Sequence, residues 1–378
     1  MNPMTHQNAL QGNILSEVGF VHGRLCWDAA GRIQSLEGRP LSEAQARDNG
    51  APLLLPGFVD AHVHGGGGHD IMEGGDAALH ITRLHAQHGT TSLLATTMTA
   101  PQADLDSAFA ALAPLCQQRP AHGARILGLH LEGPYISESR LGAQPPFARP
   151  ANLAEIARLH ALAPIRLITL APEVADNQGL IAQLCAMGFR VQLGHSSGSY
   201  EQGLAALRCG ATGFTHLFNA MTPLQGRAPG MVGAALAHAP YAEIIPDLLH
   251  VHPGAIHAAL RAIPGLYCVT DSTAATGMPD GQYTLGRHAV FKCQGGVRLA
   301  DGTLAGSTLT MDQALRNLVQ TLGLPLIDAS RRVSTHAADH LGLADRGRLA
   351  LGAWADVVVL DRDLQLQAVL IEGQAVAR

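Results

Sequence analysis

Eight short apolar runs, each followed by a segment of helical periodicity, constrain this chain more than any other feature. The runs span 53–64, 91–98, 125–132, 165–172, 190–195, 213–219, 242–250 and 266–271. Helical patterns fall between them at 76–88, 102–118, 153–162, 175–187, 200–209, 230–237 and 253–262, and another at 309–322 follows the last run. Alternation of this kind predicts repeated β-α units and a parallel sheet. Two architectures use it, the doubly wound open sheet and the closed barrel. The polar residues decide between them, because many runs end in His, Glu, Asn or Asp, and barrel enzymes gather such groups from several strand ends at one mouth. The chain also lacks the Gly-x-Gly-x-x-Gly turn expected after the first strand of a dinucleotide-binding sheet. The expected fold is therefore α/β, a (β/α)8 TIM-like barrel over 53–346.

The ends read differently. Residues 14–40 alternate apolar and polar positions around Asp28-Ala29-Ala30-Gly31, and Ala355-Asp356-Val357-Val358-Val359-Leu360 with 364–376 reads as more strands. Segments 1–52 and 347–378 are expected to pair into one small β-sandwich domain. With 378 residues, 47% of them hydrophobic, the chain can bury a large core and a smaller one. Residues 1–7 show neither a basic nor an apolar leader pattern, and no apolar run is long enough to span a bilayer. Cys26, Cys116, Cys185, Cys209, Cys268 and Cys293 are scattered without a CxxC pair, which argues against a disulfide framework and for a cytoplasmic protein. A net charge of −5 makes nucleic acid a poor partner, while a small anionic substrate needs only local positive groups.

Chemistry concentrates at the run ends. In His62-Val63-His64, strand alternation puts both imidazoles on one side with Cα atoms roughly 6–7 Å apart, near enough to share one metal ion. Glu132, His195, His216 and Asp271 end four later runs. Imidazole and carboxylate donors suit zinc or another divalent first-row metal. Glu132 closes the apolar Leu129-His130-Leu131, so it needs a metal or salt partner once buried; His130 shares its face. The remaining histidines, among them His6, His85 and His340, are read as core or surface residues. Arg227, in a loop of turn residues after the His216 run, offers a fork suited to phosphate or carboxylate. The segment Gly302-Thr303-Leu304-Ala305-Gly306-Ser307 reads either as backbone amides for a ligand or as a turn before a helix.

PGFVDAHVHG, GLHLEGPYIS, LGHSSG, GFTHLFNAM, RAPG, VTDSTAATG and AGSTLTM, in this order over nearly the whole chain, resemble the motifs of the N-acetylglucosamine-6-phosphate deacetylase family of the amidohydrolase superfamily. The resemblance implies a cytoplasmic amino-sugar hydrolase with Glu132, His195 and His216 as metal ligands and Asp271 as the catalytic carboxylate. It implies substrate contacts at Ala143, Asn219, Ala220, Arg227, His250, Leu304, Ala305 and Gly306, and a homodimer in which His250 reaches the neighbouring subunit's phosphate. Where relatives carry a histidine that holds the acetyl carbonyl, this chain has Gln144, and Leu248 replaces a glycine. Gln144 can donate a hydrogen bond but carries no charge. The intact His62/His64 pair implies room for a second ion, giving one or two divalent metals per subunit, zinc first, with Fe, Co, Mn or Ni as alternatives.

Three rivals stand beside this reading. The galacto epimer of the substrate differs by one hydroxyl. Amidohydrolases with a carboxylated lysine are excluded, because the single lysine, Lys292, lies beyond the last run, while a deaminase would release ammonia. A non-catalytic scaffold on the same barrel predicts eroded metal ligands, and none of those expected is missing.

Overall fold

A computed structural model describes residues 8–377; the expectations for residues 1–7, His6 included, lie outside them. Eight parallel strands form the barrel: Phe58–Val63, Thr90–Thr97, Arg125–Glu132, Ile165–Leu170, Arg190–Leu193, Gly213–Phe214, Tyr241–Ile244 and Gly265–Cys268. The first six pair in chain order, and the last two pair with each other. Two narrow seams close the ring. At one, the Leu217 N–H donates to the Glu243 carbonyl at 2.9 Å; at the other, the Asp271 N–H donates to the His62 carbonyl at 3.0 Å and the His64 N–H to the Ser272 carbonyl at 2.9 Å. Every residue of Phe58–Val63 and Thr90–Thr97 is buried. Strands covered on both faces are apolar in continuous runs, which is why they stood out in the sequence.

Several strands are shorter than the runs that announced them. The 213–219 run keeps only Gly213–Phe214 in the sheet, because His216 and Phe218 adopt φ of 29° and 82° and leave the extended region. The 53–64 run is two strands broken at Gly57. Leu53–Pro56 joins the sheet built from the chain ends, while Phe58–Val63 enters the barrel. A Cβ on Gly57 would lie 2.3 Å from the Thr91 side chain, so the break requires glycine.

Helices Ala77–Gln87, Gln102–Gln117, Leu153–Leu162, Asn177–Ala186, Tyr200–Arg208, Gly230–His238 and Pro253–Ala262 occupy the expected intervals. Their starts follow local chemistry: the Asn152 side chain accepts from the Ala154 and Glu155 N–H groups, and Ser199 and Gln202 form a capping box. The 309–322 pattern is the short helix Met311–Arg316 running into a π turn at Asn317–Thr321. Helices Leu326–Val333 and Thr335–His340 and the three antiparallel strands Gly281–Leu285, His288–Cys293 and Gly296–Arg298 carry no expectation from the sequence.

The ends form one seven-stranded sheet in the order Gln374–Ala375, Leu366–Ile371, Val357–Leu360, Leu53–Pro56, Asn8–Ser16, Gly19–Trp27, Ile33–Leu41. Its two margins meet where Trp27 Nε1 donates to the Gly373 carbonyl at 3.2 Å. The expected sandwich is thus a single sheet curled over its own core of Ile14, Leu25, Trp27, Leu54 and Val357, while Leu15, Leu53, Leu55 and Val358 on its other face join the barrel core. All six cysteines are free, and no helix among the described residues is long and apolar enough to cross a membrane.

Candidate active site

Six side chains from five strand ends converge at the mouth of the barrel, and the carboxylate of Glu132 divides them into two groups. Glu132 Oε1 lies 3.2 Å from His195 Nε2 and 3.1 Å from His216 Nε2, which are 3.1 Å from each other. Glu132 Oε2 lies 3.1 Å from His64 Nε2 and 3.4 Å from His62 Nε2, again 3.1 Å apart. Asp271 Oδ1 faces the second group, 3.4 Å from His62 and 3.3 Å from His64. His62 is the residue before last of the strand Phe58–Val63, and His64 follows that strand directly. His195, His216 and Asp271 instead take φ of 47°, 29° and 50°, left-handed turns that point each side chain inward where its strand stops. Gly306 lets its loop pass close behind Asp271: a Cβ there would come within 2.8 Å of the Asp271 carbonyl, and the Ser307 N–H donates to that oxygen at 2.7 Å.

The donor set suits a divalent metal ion. The Nδ1 atoms of His62, His64 and His195 face fixed acceptors, Glu243 Oε2 at 3.0 Å, the Thr96 carbonyl at 3.1 Å and the Arg140 carbonyl at 2.8 Å. Nδ1 is then the protonated nitrogen of each neutral ring, and the Nε2 lone pairs meet one another and two carboxylates. A shared proton satisfies one such pair, whereas a bound divalent cation would accept the lone pairs of a whole group at once. Both groups can hold an ion on these terms: His62, His64 and Glu132, and Glu132, His195 and His216. A third cluster, His62, His130 and Glu243, is also compact enough, but His130 already uses both nitrogens, on the Ala61 carbonyl at 3.2 Å and Thr169 Oγ1 at 2.7 Å.

Electrostatics tell the same story. Burial favours neutral rings, yet Glu132, Glu243 and Asp271 hold His62 well above the ordinary imidazole range. His64 is pushed up to about 9, against burial, by Asp271 and Glu132. Burial would raise both carboxyls, but His62 and its neighbouring imidazoles hold Glu132 well below the usual carboxylate range and Asp271 at about 2. A divalent ion supplies the positive charge these carboxylates demand and releases the protons that otherwise do so.

A cavity of about 320 Å³ opens over the cluster. Ala143, Gln144, Asn219, Ala220, His250, Leu304 and Gly306 line it with His64, Glu132, His195, His216 and Asp271. Ala305 does not; it is fully buried in a small core with Met98 and Leu285. Arg227 lies in the exposed 222–229 loop, beside Ser197 and Tyr200 rather than over the cluster. His250, expected to act across a subunit interface, lines the cavity of its own chain, with its Nδ1 2.6 Å from Asp247 Oδ2. Burial lowers the pKa of its ring, and Asp247 more than offsets this and raises it. Gln144 turns away from a purely substrate role: the Thr99 N–H donates to its Oε1 at 2.6 Å, so its Nε2 donates to Glu132 Oε2, also at 2.6 Å.

Sequence reasoning missed Arg140, Ser139, Met98 and Leu285 on the cavity wall and Asp60 and Glu243 beneath the cluster, whereas Thr303 belongs to the 302–307 segment already read as a possible ligand contact. Ser139 and Arg140 lie in a short turn with no periodicity to mark it, Leu285 ends a strand that carried no expectation, and Met98 closes the 91–98 run as an apolar residue. The two acids carried a signal, since each is a carboxylate inside an apolar run, as Glu132 is.

Residues 53–376 match the model of the amidohydrolase family. The chain is 40% identical over 368 residues to the N-acetylgalactosamine-6-phosphate deacetylase of Escherichia coli O157:H7, covering 96% of this chain and 97% of that one. It is 39% identical to the N-acetylglucosamine-6-phosphate deacetylase of Lysinibacillus sphaericus, with 85% of each covered. Its fold superposes with a TM-score of 0.90 on the Mycobacterium smegmatis N-acetyl-D-glucosamine-6-phosphate deacetylase, a variant solved with N-acetyl-D-glucosamine 6-phosphate, at 36% identity over 98% of this chain and 100% of that one. The chain belongs to the amidohydrolase family, among the N-acetylglucosamine-6-phosphate deacetylases and their kin.

Proposed function

We propose that this protein hydrolyses the acetamido group of N-acetyl-D-glucosamine 6-phosphate to D-glucosamine 6-phosphate and acetate. The observation that carries the reading is the mouth cluster itself: four imidazole Nε2 atoms and two carboxylates gathered within the spacing of metal ligands at the floor of a cavity that also holds His250 and Asn219. We propose Glu132, His195 and His216 as ligands of one ion and His62, His64 and Glu132 as ligands of a second, with zinc as the native metal. Such an ion lowers the pKa of a coordinated water and polarises the amide carbonyl. Asp271, ionised at neutral pH and facing His62 and His64, accepts the proton of the attacking water. It then delivers that proton to the nitrogen, which leaves as an amine rather than an unstable amide anion.

Recognition falls to the rest of the cavity. Paired with Asp247, which raises its pKa, His250 offers a ring N–H to the phosphate, with Asn219, Ala220, Ala143, Gln144, Leu304 and Gly306 around the sugar. Arg227 is exposed and has no acidic partner among the described residues. A homodimer that brings this loop to the mouth of a second copy would complete the anion site, and the reading includes one. The free cysteines and the small phosphorylated substrate support a cytoplasmic location.

The galacto epimer is a second reading, favoured by the 40% identity to the Escherichia coli enzyme named for it. Acetate and free amine released from the two 6-phosphates, by stripped enzyme with metal added back, decide the matter. Preference for the galacto sugar selects the second reading, ammonia release points to a deaminase, and a protein that binds no metal and turns over neither sugar is a scaffold.

A further inference from the structure

The two metal-binding groups come from different arcs of the barrel, and one residue outside the cavity touches both. Glu243 lies in the seventh strand and is fully buried. Its Oε2 sits 3.0 Å from His62 Nδ1 and accepts the main-chain N–H of His216 at 3.1 Å. Its main-chain carbonyl takes the Leu217 N–H at 2.9 Å. His216 stands at φ 29°, a conformation unfavourable for a residue with a side chain, and these two hydrogen bonds hold it there. Behind the carboxylate, the Tyr267 hydroxyl lies 3.4 Å from Oε1 and is fixed by Gln192 Nε2 at 2.6 Å and His340 Nδ1 at 3.0 Å.

We propose that Glu243 is a positioning residue that couples the two metal groups: one oxygen sets the ring of His62 and the backbone that aims His216. It touches neither metal nor substrate. Anything that moves this carboxylate therefore disturbs both groups, although only His62 meets it through a side chain. The inference rests on the two-group metal reading proposed above.

The test uses full-length protein stripped by chelator and titrated with Co2+, followed by calorimetry and by visible absorption of the bound ion. His62→Ala serves as background, so that the His195/His216 group alone remains. In that background Glu243→Gln keeps a carbonyl oxygen within reach of the His216 N–H and should leave Co2+ affinity within about threefold. Glu243→Asp keeps the charge but draws the oxygen back by one methylene. It should weaken Co2+ about 10–100-fold, the scale of losses when groups that orient metal ligands are altered, and shift the absorption bands. Equal affinity and spectra for Asp and Glu at this position would overturn the coupling, as would a loss in the Gln variant that equals or exceeds that in the Asp variant. If the unaltered protein takes up no Co2+, the metal reading falls and the coupling falls with it.

Discussion

Among the described residues, a partly buried charge cluster under the terminal sheet and the buried cluster at the barrel mouth are built on opposite principles. Where the curled terminal sheet meets the barrel, Arg346 binds Asp356 at 2.7 Å and Glu372 at 2.5 Å, Arg125 forks onto Glu372 at 2.9 and 3.1 Å, and Arg119 adds a contact at 3.2 Å. Every carboxylate there has a guanidinium, and every contact is donor to acceptor. At the barrel mouth, four imidazole nitrogens crowd one another and two carboxylates, and no guanidinium is among them. The first cluster is complete as it stands and ties two substructures together. The second becomes complete with a cation. Removing one partner from a satisfied buried pair costs stability, whereas the same act in the unsatisfied cluster removes chemistry.

That contrast can be broken in several places, with effects of falling size. Glu132→Gln should cost on the order of 10³-fold or more in kcat/KM, several kcal/mol of transition-state stabilisation, and metal analysis should find both groups depleted. Retained metal content would show that the carboxylate is not the shared element. Asp271→Asn should lower kcat by about 10²–10⁴-fold, the usual worth of general acid–base catalysis, while metal content holds; an active variant removes Asp271 from proton transfer. His62→Ala should lower the metal content and leave the Glu132, His195 and His216 group loaded, so unchanged stoichiometry would argue that a single ion is all the site takes.

The other cluster should respond in reverse. Glu372→Gln should reduce unfolding stability by about 3 kcal/mol and leave kcat/KM at moderate temperature within twofold. Its pH dependence has a definite sign. Burial would raise the Glu372 carboxyl, but Arg125 and Arg346 hold it at about 2, below its ordinary 4.5. Its contribution is therefore present above about 4.5 and lost as pH falls through 2. Denaturant melts across that window should converge for Glu372→Gln and the unaltered protein at the acid end; a constant gap would assign the loss to packing instead. Asp356, which burial raises, works against this trend in part.

Much of this was legible before any coordinates. Apolar strands buried on both faces gave continuous runs, and the strand-end positions of His62, His64, Glu132, His195, His216 and Asp271 followed from them. Glu243 and Asp60 are equally visible as acids in apolar runs, but they lie inside the runs rather than at their ends, where barrel chemistry is expected. Arg227 and His250 depend on geometry that no run reveals. Both carry the right chemistry, but loop geometry sends one away from the cavity of its own chain and the other into it. Gln144 reads as a substrate contact by position, and a backbone N–H from Thr99 turns its amide onto Glu132.

The sequence by itself determined the alternation of strand and helix, the closed parallel barrel, and the donor types at its mouth, because burial and side-chain period are written residue by residue. Tertiary structure alone decided which imidazoles face each oxygen of the shared Glu132 carboxylate, that Glu243 stands behind both groups, and that Arg227 faces outward. Those facts depend on left-handed turns at His195, His216 and Asp271 and on contacts such as that of Glu243 with His62, 181 positions apart. No local pattern encodes contacts of that kind, since they exist only once the barrel has closed.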